Sequence, residues 1–101
     1  MVIDPGHGGV DPGAIGVSGA YEKDIALIYS RAIAQELRKT GNFDVELTRD
    51  RDIFLPLRDR LQHARTAGAD LFLSLIDAIG AVLTDVQIAE ARRIMGGKQT
   101  V

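Results

Sequence analysis

Short apolar runs near residues 2–3, 43–47 and 71–76 alternate with stretches of helical periodicity, and few folds accommodate that order. Across residues 22–39, Ile25, Ile28, Ala32, Ile33 and Leu37 recur at helical spacing and supply one face to bury. Arg38 and Lys39 suit the negative end of that helix, and Gly41 is placed to stop it. Phe43, Val45 and Leu47 alternate with Asp44, Glu46 and Thr48, the period-two pattern of a half-buried strand. Pro56 suits the first turn of a second helix over 56–67, with Leu57, Leu61 and Ala64 on its apolar face and Gly68 as its stop. The continuous run at 71–76 reads as a central strand covered on both faces. Thr84 and Gln87 have capping-box spacing ahead of a third helix at 85–95, whose stripe is Ile88, Ala91 and Met95. The pattern β-α-β-α-β-α predicts a three-layer α/β fold: a small parallel sheet with strands near 2–4, 43–48 and 71–76, joined by right-handed crossovers. So few strands leave sheet edges exposed, and self-association through an edge is expected.

A length of 101 residues gives one domain with a single core. Only three residues precede Asp4-Pro5 in the first strand, which fits an excised domain. A net charge of −2, with both signs interspersed, argues against a nucleic-acid surface. No apolar run is long enough to span a bilayer, and no signal peptide precedes the first strand. The absence of Cys excludes disulfides and thiolate metal sites.

The chemistry concentrates in the loop after the first strand. Gly6, Gly8 and Gly9 surround His7 there, at the edge where open α/β sheets place their sites. Imidazole in such a loop is a candidate metal ligand; a glycine-rich turn whose histidine only bonds the backbone is the alternative. Glu22, in the first turn of the following helix, reads first as a partner of the helix dipole. His63 lies off the apolar face of its helix and reads as a solvated side chain. Neither GxGxxG nor GxxxxGK[ST] is present, and Ser18, Ser30 and Ser74 stand in no nucleophile-elbow context.

Five ordered motifs carry a resemblance. They are Val2-Ile3-Asp4-Pro5-Gly6-His7-Gly8-Gly9, Asp11-Pro12-Gly13-Ala14, Glu22-Lys23-Asp24, Leu47-Thr48-Arg49-Asp50 and Ala69-Asp70-Leu71-Phe72-Leu73-Ser74. Together they resemble the zinc-dependent N-acetylmuramoyl-L-alanine amidases of the amidase-3 type over residues 2–75. The resemblance implies an α/β domain that cleaves the amide between N-acetylmuramic acid and L-alanine in peptidoglycan, in the periplasm or outside the cell. It implies zinc as cofactor, with His7 and Glu22 in two of the three protein ligand positions. The third is a His directly after the third strand, where this chain has Ile76, followed by Asp77. Asp77 is a carboxylate in reach of that role only if the strand register shifts, since one residue along a strand faces the other way. The family's catalytic Glu, close to the end of the full domain, has no counterpart here, so the catalytic residues stay unassigned. Residues 76–101 form an atypical end to a truncated amidase-like domain, and activity is expected to be impaired. A catalytically inactive fold serving as a structural or binding module is the alternative.

Overall fold

The structure, a computed structural model, describes residues 1–76. Its elements are β1 (Val2–Asp4), α1 (Glu22–Lys39), β2 (Glu46–Leu47), α2 (Leu57–Thr66) and β3 (Phe72–Ser74). The third helix expected at 85–95, and Asp77, lie outside the described residues.

All three strands are parallel, in the order β2-β1-β3. Ile3 pairs with Leu47 and with Leu73, and Asp4 pairs with Ser74. The central strand is therefore β1, which corrects the expectation for residues 71–76. Among the described residues β3 forms an edge, and Leu71 and Ile76 at its ends are exposed. A long apolar run reports hydrophobic demand; position in the sheet is decided by which strand the crossovers leave between the others.

Alternation along β1 separates the two faces of the sheet. Ile3 packs with Ala34 of α1 and Val45, joined by Leu37, Leu47 and Leu73. Asp4 is on the other face, where Arg60 of α2 reaches it. The layers are thus α1, sheet, α2. A second apolar cluster, built on Ile25 and Ala26 with Ile28, Tyr29 and Leu75, supports α1 near the strand ends.

Two expectations for the elements need correction. The strand at 43–48 is confined to Glu46–Leu47: Phe43 is exposed, and only Val45 is fully buried. Helix α2 does not bury Leu57 and Leu61, which remain exposed; its buried residue is Arg60. The helix faces a polar strand end, and a cation meets that surface better than leucine. On the side of β2 away from β1, Arg38 donates to the Val45 carbonyl (2.6 Å) and Arg31 donates to the Asp50 carboxylate (2.8 Å). These side chains occupy an edge that would otherwise be open to strand pairing. No helix among the described residues is long and apolar enough to cross a membrane.

Candidate metal centre

The carboxyl ends of the three strands share a buried polar knot. Asp4 Oδ1 accepts from the Gly6 amide (3.1 Å) and the Thr48 hydroxyl (2.8 Å). Its Oδ2 accepts from Ser74 (3.1 Å) and from Arg60 Nη1 (3.4 Å). Asp4 and Arg60 are both buried, so each neutralises a charge that would otherwise be costly to desolvate. This knot turns the chain sharply out of β1 into the loop that carries His7.

Two arginines then grip that loop from behind. Arg49 Nε and Nη2 both donate to the Gly6 carbonyl (3.1 and 2.8 Å), and Nη2 also reaches the Lys23 carbonyl (3.0 Å). Burial is the main influence on its guanidinium and lowers its pKa. Arg60 Nη2 contacts the His7 carbonyl (3.4 Å), and its Nε donates to Leu55 (2.6 Å). Held this way, His7 adopts φ +48°, a left-handed backbone that non-glycine residues rarely take. Such strain persists where the surroundings over-determine it, and it gathers at functional sites. Gly8 has no alternative residue: a Cβ there would lie 2.0 Å from the Ile53 carbonyl oxygen.

The loop from Val10 to Tyr21 folds back onto the start of α1. Tyr21, the N-cap, supplies no side-chain bond. Instead the amides of Glu22 and Lys23 donate to the carbonyls of Ala14 (2.8 Å) and Pro12 (3.0 Å), which satisfies two of the helix's otherwise unpaired donors. Glu22 Oε1 accepts from the Ala14 amide (2.9 Å), so one carboxylate oxygen anchors the side chain. Its other oxygen, Oε2, lies 3.2 Å from His7 Nε2, with both residues buried. No described residue donates a hydrogen bond to Oε2. Gly13 makes room for the pair, since a Cβ there would sit 2.8 Å from Glu22 Oε1 and 2.9 Å from His7 Cδ2.

His7 and Glu22, singled out from sequence, are thus brought together at the carboxyl edge of the sheet. Their separation fits two corners of a zinc tetrahedron: ligands at about 2.0–2.2 Å from the metal stand about 3.3–3.5 Å apart. Among the described residues no third His, Cys, Asp or Glu joins them as a metal-binding group. Position 76 does adjoin the loop, because a Cβ on Gly6 would lie 3.0 Å from Ile76 Cα. His63 sits elsewhere, with its Nε2 3.3 Å from Glu46 Oε1.

Residue-by-residue reading missed Asp11, whose Oδ2 lies 2.9 Å from His7 Nδ1. That hydrogen bond is the largest influence on its carboxyl and holds the pKa below the ordinary value. Its spacing four residues after His7 is the only sequence signal. Lys23 was missed too: its Nζ donates to the Gly9 carbonyl (3.0 Å) and to Asp52 Oδ2 (2.9 Å), while Asp52 Oδ1 accepts from the Gly9 amide (2.7 Å). The Lys23 hydrogen bond, then that of Gly9, lowers the Asp52 pKa. A carboxylate with a depressed pKa keeps its bonds above the unfolded value and loses them as pH falls through the folded one. In an NMR pH titration the Gly9 amide should therefore keep its position down through neutral and mildly acidic pH. It should shift with a midpoint below the ordinary aspartate value of about 3.9.

A histidine–carboxylate pair at the carboxyl edge of a parallel α/β sheet is the starting arrangement of a metal-dependent hydrolase domain. The comparisons with known proteins narrow the class. The family model for N-acetylmuramoyl-L-alanine amidase, Amidase_3, matches residues 1–78, and the chain belongs to that family. It is similar to the amidase AmiA of Escherichia coli K12, at 48% identity over 75 residues, covering 74% of this chain and 26% of AmiA. LytC of Bacillus subtilis, also an N-acetylmuramoyl-L-alanine amidase, is 44% identical over 74% of this chain and 15% of its own length. Among solved structures, AmiC2 of Nostoc punctiforme superposes with a TM-score of 0.68 at 44% identity, over 72% of this chain and 40% of that one. The amidase from Clostridium difficile 630 gives 0.70 at 36% identity, over 72% and 40%. The chain thus spans about a quarter of the length of AmiA and well under half of the solved relatives.

Proposed function

We propose that this chain carries two-thirds of an amidase zinc site, with His7 and Glu22 as ligands, and that peptidoglycan is the substrate the site is shaped for. The reaction is hydrolysis of the amide between N-acetylmuramic acid and L-alanine, in a periplasmic or extracellular compartment. The observation that carries the reading is the 3.2 Å approach of His7 Nε2 to Glu22 Oε2 in a buried setting. Family membership supports the substrate and the metal. When bound, zinc supplies Lewis acidity, polarising a carbonyl and acidifying water.

The chain's own residues contribute position. Glu22 is anchored through Oε1 so that Oε2 faces the metal corner. Arg49 and Arg60 hold the His7 backbone by its flanking carbonyls. What this sequence lacks is the third ligand, Ile76 standing where the family has His. The match to the family also stops at residue 78, short of the region that carries the distal Glu. The apolar Ile76 beside the loop favours impaired or absent turnover, so a domain kept for its fold or for binding is the second reading.

Isothermal titration of zinc into the chain, with digestion of purified peptidoglycan alongside, tests both readings. Zinc binding should be weak, and His7→Ala or Glu22→Ala should lower it by a further ~10–100-fold. Release of soluble fragments should be little above background. Zinc affinity indifferent to both substitutions would remove the site. Tight stoichiometric binding with brisk release would overturn the impaired-enzyme reading.

A further inference from the structure

We propose that Asp11 is a positioning residue that decides which imidazole nitrogen of His7 is available to a metal; the role rests on the reading of His7 and Glu22 as ligands. Asp11 is built into the loop independently of any ion. Its amide donates to the Gly8 carbonyl (2.9 Å), and its carbonyl accepts from the Gly8 amide (2.7 Å), which locks it beside His7. Both carboxylate oxygens are also committed: Oδ1 accepts from the Gly13 amide (3.0 Å), and Oδ2 lies 2.9 Å from His7 Nδ1. The side chain therefore has little freedom to leave the ring.

The chemistry follows from the donor count. An ionised carboxylate accepts hydrogen bonds and donates none, so Nδ1 must carry the proton of that contact. In neutral imidazole the remaining lone pair is then on Nε2, the nitrogen 3.2 Å from Glu22 Oε2. A carboxylate behind a metal-binding histidine also raises the basicity of the ligating nitrogen. The turn that Asp11 forms with Gly13 confines the ring from below, where any Cβ on Gly13 would press on His7 Cδ2 at 2.9 Å. Asp11 thus sets both the tautomer and the direction of the ring.

An isosteric change separates this role from simple packing. In Asp11→Asn a single amide oxygen faces two donors, the Gly13 amide and His7 Nδ1–H. The backbone N–H cannot turn away, so the oxygen stays with Gly13 and the NH₂ group meets Nδ1. Nδ1 must then accept, and the ring proton moves to Nε2.

Long-range ¹⁵N–¹H spectra of the His7 ring in the full metal-free chain, at about pH 9 where imidazole is neutral, read the tautomer directly. The parent should show protonated Nδ1, and Asp11→Asn should show protonated Nε2. Zinc affinity of the variant should fall by about 10–100-fold at unchanged helical content. Protonated Nε2 in the parent overturns the proposal, and that measurement needs no variant to fold. An Asp11→Asn chain with unchanged tautomer and unchanged zinc affinity overturns it equally. A parent with the expected tautomer but no zinc uptake defeats the metal reading and sustains the orienting role of Asp11.

Discussion

Replacing Ile76 with His is expected to raise zinc affinity by about tenfold or more, which corresponds to about 1.4 kcal/mol per factor of ten. Catalytic zinc sites normally have three protein ligands, and the described part of this chain presents two. The position is well placed to receive a third. Ile76 adjoins Gly6, the neighbour of His7, and the Leu75 amide donates to the Asp4 carbonyl (2.8 Å), so the β1–β3 pairing carries the chain up to the site. Ile76 is 42% exposed, so an imidazole there keeps water on its polar edge and has little desolvation to overcome. Titration calorimetry on parent and Ile76→His chains makes the comparison, with Ile76→Ala as the control for loss of the alkyl group. Equal affinity in parent and His variant would mean that another group already fills the third corner or that position 76 points elsewhere. Turnover should stay far below that of a complete amidase, because restoring a ligand does not supply a general base.

The second large effect is on stability. Asp4→Ala is expected to destabilise the fold by about 3–5 kcal/mol, the usual consequence of leaving a buried charge without its partner. Arg60 is 3% exposed and would face an empty strand end. The Gly6 amide, Thr48 and Ser74 would each lose an acceptor at the same time. Small domains have total stabilities of about 5–15 kcal/mol, so the variant should be close to unfolding at room temperature. Urea denaturation followed by circular dichroism measures the loss. A companion variant, Asp4→Ala with Arg60→Met, should recover part of it, since the stranded cation is then gone. A change under about 1 kcal/mol in the single variant would show that the knot is incidental to the fold.

The two metal-facing residues were legible because residue chemistry and motif order agree on them: an imidazole on a strand-end loop, a carboxylate at the head of the next helix. The parallel α/β plan was legible from periodicity. The polar knot was not. Asp4, Thr48 and Ser74 are neighbours only once β2, β1 and β3 are laid in register, and no local spacing encodes that row. Helix α2 was misread for a related reason. Periodicity turns Leu57 and Leu61 inward, yet the surface awaiting the helix is polar, and Arg60 has partners there from residues over fifty positions away. Asp11 shows the opposite case. Its partner is four residues off, but only the left-handed bend at His7 brings the ring back to it.

The arginine braces also set an order of events during synthesis. The ligands arrive early, at residues 7 and 22, whereas the side chains that hold the loop arrive at residues 49 and 60. A growing chain on the ribosome displays the histidine and the glutamate long before their geometry exists. The metal corner takes shape only when the second helix docks, so an emerging chain offers stray ions a flexible segment and not a finished site.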